Sequence, residues 1–298
     1  MNTDKPARAW LTPTVVGVAC GTGAALSWAT GFVAALHGVR AGLAPVDLAF
    51  HRFVWAGLIL LPGIVRLGSN LGGIGWARGL TIFVLAGPAQ GILSATGFTM
   101  TPLGHGAMIQ PGTAALCGLL LATIVLHEPL LARRVIGAAA IVTGLLLLGG
   151  EALATIGTHG LLGDLSFLLA GVFWAGFGTV LRLWNIRAQR AAIVISALSL
   201  FLYTPLQLLF GFDRMIAAGL WENVLQAAVQ GGLAGALAIH LFARAVMLLG
   251  AGRASAFPAM VPPATLLIGF IALGEVPSLV QLLGLAVIAI GFRFTLKP

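Results

Sequence analysis

Ten apolar runs of about 20 residues, each long enough to cross a bilayer as a helix, take up nearly the whole sequence. They cover 14–36, 46–66, 78–99, 105–126, 132–150, 161–182, 191–211, 223–248, 254–273 and 278–295. The links between them are mostly five to twelve residues, so consecutive runs must turn straight back on one another. Too little chain is left over for an extramembrane domain. Charged residues make up only 8% of the chain and hydrophobic ones 59%, against about 25% charged in a soluble domain. A water-facing surface cannot be built from this. The fold class expected is all-α integral membrane, with ten transmembrane helices and the lipid bilayer as solvent.

The second constraint is a repeat. Residues 104–146, moved forward by 147 positions without a gap, fall on 251–293. Pro111 lands on Pro258, Leu126 on Leu273, Glu128 on Glu275, Gly137 on Gly284 and Gly144 on Gly291. The Pro and Glu matches weigh most, because the chain has only 14 prolines and four glutamates. Trp28-Ala29 and Trp174-Ala175 match at nearly the same offset. The sequence is a duplicated unit: a tail at 1–13, one five-helix repeat at 14–150 and another at 161–298.

Charge sets the expected orientation. With the N-terminus on one side, that side collects Lys5, Arg8, Arg66, Arg78, Arg133, Arg134, Arg182, Arg187, Arg190, Arg244, Arg253, Arg293 and Lys297. The other side keeps Arg40 and Arg214, with Arg52 just inside the second run. Thirteen against three places both termini in the cytoplasm, and the membrane is a bacterial-type inner membrane. The basic residues form no stripe with interleaved aromatics, so nucleic acid is not a partner. Five runs per unit is an odd number, so the second copy must be threaded upside down. Two units of opposite polarity are the construction of many secondary transporters, with solute bound near the midplane between them.

Ten spans, a five-plus-five inversion and a Pro-containing span ending in an apolar residue and Glu resemble the drug/metabolite transporter superfamily, in particular its EamA-type members. So does the short break leading into the helix that carries Gly137 and Gly144. Within it the chain looks most like the YddG-type exporters of aromatic and other neutral amino acids. That resemblance implies a small-molecule pocket lined by the first, third, fourth, sixth, eighth and ninth spans. One departure is that Pro129 directly follows Glu128, whereas Val276 separates Glu275 from Pro277.

Polar side chains are costly in lipid, so those inside spans face a cavity or a partner helix. Gln90 and Ser94, four apart, share a helix face, and Gln230 in the eighth span is the cognate amide. An amide both donates and accepts, which suits a zwitterion; the competing reading is a helix–helix hydrogen bond. Trp28 and Trp174 lie deep in their spans, whereas Trp10, Trp76, Trp184 and Trp221 sit at span ends as an interfacial belt. The deep pair either walls a cavity for apolar or aromatic groups or packs as core. Pro111 and Pro258 free the carbonyls of Ala107 and Ala254 and mark kinks where gates bend. Their neighbours Met108, Gln110, Ser255, Phe257 and Met260 are further lining candidates, and a kink with no solute contact is the alternative. The paired glycines are close-packing signals.

Cys20 and Cys117 read as packing residues, and His51, His105 and His240 lack metal-ligand spacing. His51-Arg52 is placed to pair with Asp47, and Glu128 to cap or to hold Arg133. No metal, cofactor or deep carboxylate for proton or sodium is expected. The rival class is a membrane enzyme on lipid-like substrates. His159 and Asp164 have the spacing of lipid acyltransferases, but no acceptor motif, paired carboxylates or nucleophile elbow accompanies them. A passive channel is the third reading. The sequence favours a carrier that exports small metabolites, aromatic and neutral amino acids first, and is not an enzyme.

Overall fold

The computed structural model describes residues 12–129, 132–148, 160–249, 254, 257–274 and 278–296. Among these residues every regular element is a helix. Besides the short turns Leu61–Ile64 and Leu71–Gly73, they are in chain order α1 (Pro13–Arg40), α2 (Pro45–Ile59), α3 (Trp76–Met100), α4 (Leu103–Ile124), α5 (Ala132–Leu148), α6 (Leu161–Leu183), α7 (Ala188–Phe210), α8 (Asp213–Leu249), α9 (Phe257–Leu273) and α10 (Leu279–Leu296). Of these α1, α3, α4, α6, α7 and α8 are long and apolar enough to cross a membrane. Leu209, Leu220, Ile271 and many other large apolar side chains lie exposed on the outside of the bundle. A surface of that kind is stable only against lipid. The chain is a multi-pass membrane protein.

Local chemistry sets the helix ends. The Thr12 hydroxyl accepts a hydrogen bond from the Val15 amide, and Pro13 opens α1, where its missing N–H costs nothing. Pro45 opens α2 in the same way, and the Asp47 carboxylate accepts from the Ala44 amide at 2.9 Å. Extended backbone at Gly87 breaks α3 ahead of Pro88. Helices α7 and α8 contain π-helical stretches at Ser199–Tyr203 and Ala227–Leu237. Such stretches recur at functional sites.

Helix α8 starts ten residues before the apolar run at 223–248. Asp213, Arg214, Glu222 and Asn223 look like a polar link, yet the last three make defined contacts in or beside the helix. The Asn223 amide donates to the Met215 and Gly219 carbonyls where Gly219 (φ 84°) interrupts the helix. Arg214 donates to Asp47, and Glu222 pairs with His37. Helix α1 likewise runs on to Arg40, past the apolar limit at 36.

Packing follows the duplication. Helix α4 lies against α6, and α9 against α1; α1 lies against α8, and α6 against α3; α2 lies against α8, and α7 against α3. Each contact therefore has a counterpart five helices along. Helices α5 and α10 pack on each other. A Cβ on Gly144 would lie 2.7 Å from the Gly284 carbonyl oxygen, and one on Gly291 would lie 2.9 Å from that of Gly137. As numbering rises along α5 it falls along α10, so the two run antiparallel and cross where neither has a side chain. Each glycine thus faces the repeat mate of the other glycine on its own helix: Gly144 meets the mate of Gly137, and Gly137 the mate of Gly144.

Among the described residues, Asp47 is held by Gln207 (3.0 Å) and Arg214 (3.3 Å) rather than by Arg52. Glu128 pairs with Arg182 of α6. His105 of α4 bonds Asp164 of α6 at 2.6 Å. Lys5, Arg8, Trp10, Glu151, His159, Arg253, Ser255, Glu275, Val276, Pro277 and Lys297 lie outside the described residues, as do the side chains of Arg133, Arg134 and Arg293.

Candidate functional site

A half-open cavity of about 120 Å³ lies among α1, α2, α3, α4, α6, α8 and α9. Its wall includes Trp28, Phe32, Phe98 and Trp174 together with Arg52, Gln90, Ser94, Gln110 and Gln230. Pro111, Pro258, Val261 and Thr265 complete the side nearest α4 and α9. An apolar wall with a few convergent polar groups is the usual makeup of a small-molecule pocket.

The two deep indoles meet. Trp28 and Trp174 stand edge to face, with ring centroids 6.3 Å apart and planes at 78°, a favoured aromatic geometry. Repeat mates thus touch at the cavity wall. Phe242 packs on Trp28 at 5.5 Å and Phe177 on Trp174 at 5.4 Å. Farther along, Phe32, Phe98 and Phe167 stack edge to face. This gives the cavity one aromatic flank.

The polar flank is tied across helices. The Ser94 hydroxyl of α3 donates to the Gln110 amide oxygen of α4 at 2.5 Å. The Gln230 amide of α8 donates to the Gly31 carbonyl of α1 at 2.8 Å. Gln90 lines the cavity from the helix that restarts at Pro88. Both expected readings of these amides therefore apply: they join helices and face the hollow. Pro111 lies inside α4, and Ala107, whose carbonyl it leaves without an intrahelical donor, also lines the wall. Pro258 lies in the single 3-10 turn, Phe257–Met260, that begins α9.

Three lining candidates point elsewhere. Met108 is buried against Leu266, Ile288 and Ile141, on the α4 face toward α9 and α10. The Phe257 ring fills the space a side chain at Gly21 would need. Met260 packs with Ala25, Ala29 and Val261 between α1 and α9. All three are apolar and flexible or flat enough to fill gaps between helices, and packing claims them.

One wall residue was missed. Arg52 belongs to α2, a span outside the six implied by resemblance, and its Nη1 donates to the Gln230 amide oxygen at 3.3 Å. The signal was present: a guanidinium inside an apolar run is subject to the same argument as the glutamines. Nearby Asp47 hid it by offering a partner that the fold gives to Arg214. His51, beside it, bonds Asn223 and accepts from the Trp55 indole. Cys20 and Cys117 are free thiols. Among the described residues no group of three or more His, Cys, Asp or Glu is arranged to hold a metal ion.

Comparison with known proteins agrees with this architecture. A solved structure described as "Crystal structure of protein" superposes with a TM-score of 0.68 at 16% identity, covering 95% of this chain and 97% of that one. At that identity the likeness speaks for the fold alone. No curated protein matches the sequence. The EamA-like transporter family matches twice, over residues 15–150 and again over 161–297. Tandem matches over almost all of a multi-pass membrane chain, on the two units the repeat marks out, place this protein in the EamA-like transporter family.

Proposed function

We propose that the protein is a secondary carrier of an inner membrane that exports small metabolites, with aromatic and other neutral amino acids as the first class to test. In this reading ten spans form two five-helix units, 14–150 and 161–298, lying inverted to each other with both termini in the cytoplasm. The antiparallel crossing of α5 and α10 and the five-apart pairing of helix contacts support the inversion. Trp28, Gln90, Ser94, Gln110, Trp174 and Gln230 bind the solute, and Pro111 and Pro258 mark where the helices flex.

The observation that carries this reading is the position of the cavity. It lies between the repeats, walled by indoles that are each other's mates, which is where inverted-repeat carriers bind solute. Alternating access then consists of the two units exchanging shapes around a fixed site.

The test is counterflow in proteoliposomes with a panel of labelled amino acids. A carrier accumulates label against an unlabelled solute trapped inside, transiently and saturably. Flux that only follows the gradient, without counterflow, identifies a channel and overturns the proposal. Chemical conversion of a panel solute or a lipid by the purified protein identifies an enzyme and also overturns it.

A further inference from the structure

Among the described residues the cavity wall contains one ionisable side chain, Arg52, and no Asp or Glu. The nearest acid along the chain, Asp47, has its oxygens occupied by the Ala44 amide, Gln207 and Arg214. Arg52 makes one hydrogen bond among the described residues, to the Gln230 oxygen. That oxygen is aimed by the amide's own bond to the Gly31 carbonyl. Gly31 lets α1 and α8 approach closely enough for that bond: a Cβ there would lie 2.8 Å from the Ala234 Cβ, while meeting Arg52 Nη1 and the Gln230 oxygen at an ordinary 3.6 Å.

A guanidinium offers five N–H donors in a planar fork that matches a carboxylate with two parallel bonds. One donor is used here. The others belong to a cation in a partly desolvated hollow, where an unmatched charge is costly and a matched one strongly favoured. An ammonium has no charged counterpart among the described residues of the wall, where the side-chain amide oxygens are the neutral ones of Gln90, Gln110 and Gln230, the last two already accepting from Ser94 and Arg52. The remaining surface of Trp28, Phe32, Phe98 and Trp174 fits an apolar or aromatic body.

We infer that Arg52, oriented by Gln230 and Gly31, is the anchor for a solute carboxylate, and that the cavity takes apolar and aromatic carboxylates for which an amino group is dispensable. Amino acids qualify through their carboxylate end. This rests on the carrier reading above and narrows its substrate class.

The experiment uses the full chain and four probes of one shape: 3-phenylpropionate, L-phenylalanine, 3-phenylpropanamide and phenethylamine. Binding is read by titrating tryptophan fluorescence, since two indoles line the wall, and exchange by counterflow. The acid binds about tenfold or more tighter than the amide and the amine, the worth of one charge-assisted fork, and no weaker than L-phenylalanine. Arg52→Gln removes the acid-over-amide ratio, and Arg52→Lys keeps part of it. Equal binding of acid and amide by the unaltered protein overturns the inference. So does binding of L-phenylalanine without 3-phenylpropionate, or an acid preference that survives Arg52→Gln. If that variant does not fold, the unaltered protein's own probe series decides. Counterflow of amino acids with no acid preference removes only this inference. Absence of counterflow for every probe removes the carrier reading, and the titration still judges Arg52.

Discussion

Helices α4 and α9 carry a proline at matching positions of the duplicated unit and use it differently. Pro111 lies inside a continuous helix and deprives the Ala107 carbonyl of its donor. Pro258 lies in a 3-10 turn, Phe257–Met260, with Pro262 and Pro263 at the start of the α-helical stretch that follows it. The α5–α10 seam behaves in the opposite way, with the same two positions of each unit meeting the other unit in the same geometry. The cavity wall is lopsided as well. Arg52, Gln90, Ser94 and Gln110 come from the first unit, while the second supplies Gln230, Trp174, Pro258, Val261 and Thr265. Duplication sets the frame, and divergence within it makes a wall with one charged side.

The sharpest way to break this contrast is at the seam. Gly144→Val and Gly291→Val each push a side chain into backbone of the opposing helix, costing about 3 kcal/mol at the upper end of ordinary overpacking. Melting temperatures in detergent should fall by similar amounts for the two. A fall in one only would mean that the seam is not symmetric.

A smaller effect is expected at the indoles. Trp28→Ala and Trp174→Ala each remove one half of an edge-to-face pair, weakening binding of an aromatic solute about tenfold, close to 1.4 kcal/mol. Apparent affinity in counterflow measures it, together with the range of solutes accepted. Two variants that transport as the unaltered protein does would show that the pair is only packing. The smallest difference belongs to the prolines. Pro111→Ala restores a backbone bond to Ala107, a net gain of about 0.5–1.5 kcal/mol, so the protein should melt higher and transport more slowly. Pro258→Ala should move both quantities less, because that proline sits in a 3-10 turn and not inside a continuous α-helix.

What was legible from the sequence follows from what lipid demands. Span length, short links and the recurrence of Pro111, Glu128 and Gly144 gave the helical membrane fold and its two units without coordinates. Polar residues inside spans were legible too: Gln90, Ser94, Gln110 and Gln230 all reach the hollow. Met108, Phe257 and Met260 were not, because helices apolar on every side show no pattern that separates a cavity face from a lipid or packing face. Charge partners were the other blind spot. Asp47 is one turn from Arg52 in sequence, yet Arg214 and Gln207 reach it from α8 and α7. Only the assembled bundle decides that competition.

The glycine crossing of α5 and α10 also bears on ancestry. Because Gly144 faces the mate of Gly137 and Gly291 faces Gly137 itself, the same patch occurs on both partners, which defines an isologous, self-complementary interface. A patch that recognises its own copy does not require a covalent link between the partners. Two separate five-helix polypeptides, inserted in opposite directions, would already have had the surface to pair, and fusing their genes would have preserved an association rather than created one.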